Sequence, residues 1–107
     1  MKTFGPWIAA ASLLVVPLFA RAQLRVGLLY RDRLGDAPSA RRAFRRIVDD
    51  YPTSVLRDDA LVEEARTRRA SGDAPGACRS FAELVHHFPE SRYRREADTA
   101  LGGACER

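Results

Sequence analysis

Cys78 and Cys105 are the two residues of this 107-residue chain whose chemistry is easiest to name: together they can form a disulfide. Each falls in a helical stretch, Cys78 one turn into one helix and Cys105 at the end of the next. In an antiparallel hairpin of those helices the residue level with Cys78 is near Leu101. Cys105 therefore overshoots by about one turn, some 6 Å of axial rise, and Gly102-Gly103 can bend the chain back. Two outcomes stay open. A bridge across the 27-residue separation would add roughly 3.5 kcal/mol on a chain-entropy argument. Alternatively Cys78 is a core thiol in an apolar stripe and Cys105 a frayed one.

Other chemistry finds little support. His86 and His87 are adjacent, so on a helix they point different ways, and neither CxxC nor HxxxH spacing accompanies them. A metal site needs three or four ligands, and none is expected. Ser39, Ser71, Ser80 and Ser91 fall in caps, turns or exposed helix positions, with no histidine placed beside them by a motif. The acid pairs Asp58-Asp59 and Glu63-Glu64 read as solvated helix faces. The chain is thus expected to be no enzyme and to need no cofactor.

The charge balance is 18 basic against 14 acidic side chains, a formal +4. Part of that excess lies in a segment with its own signature. Lys2 supplies a positive start, Trp7 to Ala20 is almost uninterrupted apolar sequence, and Ala20-Arg21-Ala22 has the small-x-small form of a cleavage site. Residues 1–22 are expected to be a signal peptide cut after Ala22, leaving residues 23–107 as the domain, periplasmic or secreted. The apolar run falls short of the about 20 residues a span needs, so no stable membrane insertion is expected after cleavage. A retained anchor is the alternative, since Leu24, Val26, Leu28 and Leu29 prolong the apolar character. Without the leader 16 basic and 14 acidic residues remain, and every basic one is arginine. That near balance, together with export, argues against a nucleic-acid partner.

The elements that position these residues announce themselves by repetition. Gly35-Asp36-Ala37-Pro38 returns 37 residues later as Gly72-Asp73-Ala74-Pro75. The same offset maps Ala40, Phe44, Ile47 and Pro52 onto Ala77, Phe81, Leu84 and Pro89. Ala40, Ala43, Phe44, Ile47, Val48 and Tyr51 mark one face of a 3.6-residue helix, and Ala77 to Phe88 repeat the pattern. Asp36 and Asp73 suit N-caps, with Pro38 and Pro75 in the first turn, where no intrahelical donor is lost. Pro52 and Pro89 stop both helices, because the residue before a proline is driven out of helical geometry. Ser54 and Ser91 are expected to cap the partner helices, and Gly35 and Gly72 to take positive φ between helices. A short lead helix over 24–34 precedes them. The sum is an all-α fold, a solenoid of about two helix-turn-helix repeats (24–53 and 54–90) with a closing helix over 91–105.

Gly35-Asp36, Ala40, Phe44, Ile47 and Pro52, and again Gly72-Asp73, Ala77, Phe81, Leu84 and Pro89, resemble the second helix of a tetratricopeptide repeat. Tyr51-Pro52-Thr53-Ser54 and Phe88-Pro89-Glu90-Ser91 are similar to phrases of exported tetratricopeptide proteins of the Gram-negative envelope. Ala77-Cys78-Arg79-Ser80-Phe81 and the closing Ala100 to Cys105 look most like the C-terminal repeats of the Tol-Pal periplasmic coordinators. The lipoprotein of the barrel assembly machinery is the second resemblance, with no lipid-attachment cysteine here to match it.

The resemblance implies a protein-interaction scaffold or adaptor in cell-envelope maintenance or outer-membrane assembly, whose partner is a protein or peptide segment of the envelope. In such stacks the first helices line the groove, which makes Arg57, Asp58, Leu61, Glu64, Arg66 and Arg68 the candidate partner-binding face. The alternative is a structural fragment that completes a longer solenoid or self-associates through Leu24, Leu28 and Leu29.

Overall fold

A computed structural model describes residues 6–106, with side chains described for residues 17–105. Five helices follow one another: α1 (Pro6–Asp32), α2 (Ala37–Asp50), α3 (Arg57–Ala70), α4 (Ala74–His87) and α5 (Arg94–Leu101), then a 3₁₀ turn at Ala104–Glu106. No strand occurs among the described residues.

The connections use the expected devices. The Asp36 carboxylate accepts the Ser39 amide at 3.1 Å, and that of Asp73 accepts the Gly76 amide at 2.9 Å. Those hydrogen bonds hold both carboxyls below the usual range, helped at Asp73 by the Arg68 guanidinium. Gly72 adopts φ +87°, and the amides of Gly72 and Asp73 return to the carbonyls of Arg69 and Arg68. This closing motif needs a left-handed residue, which glycine supplies without a Cβ clash. One aspartate thus finishes α3 with its backbone and starts α4 with its side chain. Gly35, at φ +62°, stands in the same place after α1.

Three boundaries differ from expectation. α1 is one helix from Pro6, not a short element over 24–34, because residues 6–22 are rich in helix-forming alanine and leucine. The expected cleavage site at Ala22 therefore lies within α1, while Lys2 of the expected signal peptide is outside the described residues. Second, Ser54 and Ser91 do not cap helices. Each hydroxyl accepts the amide two residues on, of Leu56 or Tyr93, at 3.1 Å, and the helices begin after those residues. A serine hydroxyl favours such a local turn over a cap when a turn must follow a proline. Third, the closing helix stops at Leu101, where Gly102-Gly103 ends the regular backbone.

The core forms two clusters. Ala40, Phe44, Ile47 and Ala60 gather Leu24, Leu28, Tyr30, Tyr51 and Leu56 around them. Leu61, Val62, Ala65, Phe81, Leu84 and Ala97 gather Val85, Phe88, Tyr93 and Leu101. Half-buried Val48 touches both. α3 feeds the two clusters from different sides, so it is buried nearly all round and shows no single apolar stripe. Gly27 lets α1 approach α2 closely, since a Cβ there would collide with the Phe44 ring. No helix among the described residues is long and apolar enough to cross a membrane.

Candidate functional site

α1, α3 and α5 are the first helices of successive hairpins, and charged side chains link them in a row. Arg31 Nη1 donates to Glu63 Oε1 at 2.7 Å, tying α1 to α3. Glu63 also pairs with Arg66, one turn along α3. Arg66 grips Glu96 of α5 with two parallel hydrogen bonds, of 2.9 and 2.6 Å, the strong bidentate form of this pair. The grip holds Glu96 below the usual carboxylate range and raises Arg66. Beside this row Asp59 accepts from Tyr93 Oη at 2.6 Å and from Arg92 at 2.8 Å, and Asp58 accepts from Ser91 Oγ at 2.6 Å. Burial foremost, then the Asp59 contact, raises the Tyr93 phenol.

A second chain of charges runs on the other side of α3. Arg45 of α2 reaches Glu64 at 2.6 Å and holds both oxygens of Glu83 of α4 at 3.0 Å. Arg68 joins Glu64 to Asp73. These carboxylates, Glu83 first, raise the Arg45 guanidinium. Glu63 and Glu64 are neighbours in sequence but about 100° apart on the helix, so one serves each side. The expectation that Asp58-Asp59 and Glu63-Glu64 are merely solvated is therefore corrected: each carboxylate has a named partner.

Of the six residues expected on the partner-binding face, Arg66 lies on the α1–α3–α5 row. Asp58 borders it through Ser91. Arg57 is half-buried with its guanidinium 4.9 Å over the Phe88 ring, and Arg68 faces the Asp73 turn. Leu61 and Glu64 are corrected outright. Leu61 is fully buried in the second core cluster, and Glu64, 1% exposed, is enclosed beneath Arg45 and Arg68. Neither can touch a partner. Arg31, Glu63 and Glu96 are not among those six, although Glu63 and Glu96 stand 33 residues apart, one helical turn short of the repeat period.

The packing signature is where the sequence places it. Ala40, Phe44, Ile47, Ala77, Phe81 and Leu84 are all buried, and Pro52 and Pro89 sit just past α2 and α4. Of the four serines, Ser80 is buried rather than exposed. The Cys78–Cys105 pair is bridged, with Cα atoms 5.6 Å apart: the Gly102-Gly103 bend and the 3₁₀ turn swing Cys105 back over α4. His86 and His87 are exposed and stack edge to face, 4.7 Å between centroids.

A family model of the tetratricopeptide repeat matches residues 21–54 and 59–91, in register with α1–α2 and α3–α4. The chain belongs to the tetratricopeptide-repeat family. No curated protein and no solved structure matches it. Tetratricopeptide repeats generally mediate protein–protein contacts and serve as non-enzymatic scaffolds, so the partner class is a protein or peptide. The matched repeats end at residue 91, and α5 then covers the face of the second one, as a capping element must.

Proposed function

We infer that this is an exported interaction module of the cell envelope, periplasmic and acting as a scaffold or adaptor. The observation that carries the reading is the in-register pair of tetratricopeptide hairpins, whose first helices present one continuous polar face. The bridge between the chain's two cysteines supports an oxidising compartment, and the leader signature of residues 1–22 supports export. Within that reading the resemblance to Tol-Pal coordinators ranks ahead of the barrel-assembly lipoproteins, on the residues Ala77 to Phe81 and Ala100 to Cys105. The partner segment lies along the α1–α3–α5 face, with Arg66 and Glu96 exchanging part of their mutual pairing for contacts to it.

Affinity capture from envelope extracts, with the processed chain as bait, tests the function. Recovery of Tol-Pal components is expected, and recovery of barrel-assembly components instead would reassign the pathway. Capture undiminished by Arg66→Ala combined with Glu96→Ala would remove the α1–α3–α5 face from the account. Accumulation of the chain in a cytoplasmic fraction, thiols free, would overturn export.

One observation favours a second reading. Leu18, Phe19, Val26 and Leu29 are large apolar residues exposed on α1. Self-association there would make the chain a structural piece of a longer assembly. Leu24 and Leu28 are not available for it, because both pack around Phe44.

A further inference from the structure

We propose that α2 carries a separate docking groove for an acidic peptide segment, built on Arg41, Arg42 and Arg46. The proposal goes beyond the α1–α3–α5 face and rests only on the chain being an interaction module. Nearly every other charge near the centre of the stack has a partner, Arg45 and Arg68 included. Among the described residues no carboxylate oxygen lies within 4.0 Å of Arg41, Arg42 or Arg46; Arg42 donates to Ser39 Oγ at 2.9 Å and, from farther off, its charge helps to lower Asp36. All three line a shallow open groove of about 450 Å³.

Arg42 and Arg46 also line a smaller neighbouring hollow of about 180 Å³, whose other wall is Val26 and Tyr30 of α1. The two depressions share these arginines and form one surface, cationic on one side and partly apolar on the other. Helix geometry sets Arg42 and Arg46 about 6 Å apart along the axis. Alternate side chains of an extended peptide are about 6.6 Å apart. Two acidic residues separated by one position therefore meet both guanidinium groups, and an adjacent aliphatic side chain reaches Val26 and Tyr30.

The same groove argues against a uniformly anionic polymer or lipid surface. Asp49 and Asp50 stand at its far end, one turn beyond Arg46. A short acidic segment stops before them. A phosphate backbone or a headgroup plane would be driven against both carboxylates.

The test uses the full chain and a fluorescent synthetic peptide bearing Leu, then Glu-Ser-Glu, with a Gln-Ser-Gln control. Binding followed by anisotropy is expected to weaken with added salt and to fall at least about tenfold in the variant Arg41→Gln, Arg42→Gln, Arg46→Gln. Arg42 and Arg46 are exposed and Arg41 is half-buried, and an unchanged melting temperature will certify the variant's fold. Arg66→Ala with Glu96→Ala is expected to leave peptide affinity intact. Equal affinity in the triple variant, equal binding of the control peptide, or tighter binding of phosphatidylglycerol vesicles or single-stranded DNA than of the acidic peptide would each overturn the groove. Capture of an envelope partner by both the parent and the triple variant, with peptide affinity equal in the two, counts against this groove alone. A parent chain that captures none counts against the interaction module itself.

Discussion

Glu63 and Glu64 differ in cost although they share a backbone and a charge. Glu64 is 1% exposed and answers two arginines, whereas the Glu63 side chain keeps 18% of its surface in water. Removing a buried partner strands the charges it neutralised, while an outer pair contributes little beyond what water returns. Glu64→Gln is therefore expected to destabilise by about 1–3 kcal/mol and Glu63→Gln by under about 1 kcal/mol, both read from urea unfolding at neutral pH. A larger loss at Glu63 would contradict this order. Glu96 gives a matching statement in acid. Its folded-state pKa is depressed by Arg66, so its stabilisation is present above the unfolded carboxylate value and is lost as pH falls through the folded one. Stability of the parent should decline below about pH 4 more steeply than that of Glu96→Gln. Parallel acid curves for the two chains would dismiss the Arg66–Glu96 grip as an energetic element.

At the scale of elements, the disulfide fastens the end of the chain to α4 and keeps α5 over Phe81, Leu84 and Val85. Closing a 27-residue separation in the unfolded chain favours folding by about 3.5 kcal/mol. Reduction, or Cys105→Ser, should lower the melting temperature by about 10 °C or more and raise hydrogen exchange first in α5. An unchanged melting temperature would mean that packing alone holds α5. The helices with one buried side were the legible ones: Ala40, Phe44 and Ile47 declare α2, and their counterparts declare α4. α3 was opaque because it is buried on two sides, with Ala60 serving one cluster and Leu61 and Val62 the other. Its surface residues could not be sorted from its buried ones on sequence alone. A charge at Glu64 looks solvent-bound until Arg45, nineteen positions away, is brought beside it. The bend at Gly102-Gly103 was legible, since two glycines in a row weaken a helix.

For the whole molecule, the open question of association concentrates on α1. Leu18 and Phe19 lie in the segment that cleavage after Ala22 would remove, whereas Val26 and Leu29 would remain on the surface either way. The chain processed after Ala22 is expected to be monomeric by light scattering, and the unprocessed chain to associate through that apolar edge. A processed dimer that survives Val26→Lys with Leu29→Lys would place the contact elsewhere. The direction in which such a stack can extend is already written into its cross-links. Ties from each first helix to the next, or to the turn that opens it, join residues 30 to 36 apart, short of the full 37 of the sequence period. At both junctions the ties fall short of that period, so successive hairpins are set back in the same sense. An arrangement set back in the same sense at every step has no closed form: tandem copies of residues 54–90 inserted before α5 would spiral onward as a longer rod, with Arg66 of each copy meeting Asp59 of the next, the residue 37 positions before Glu96.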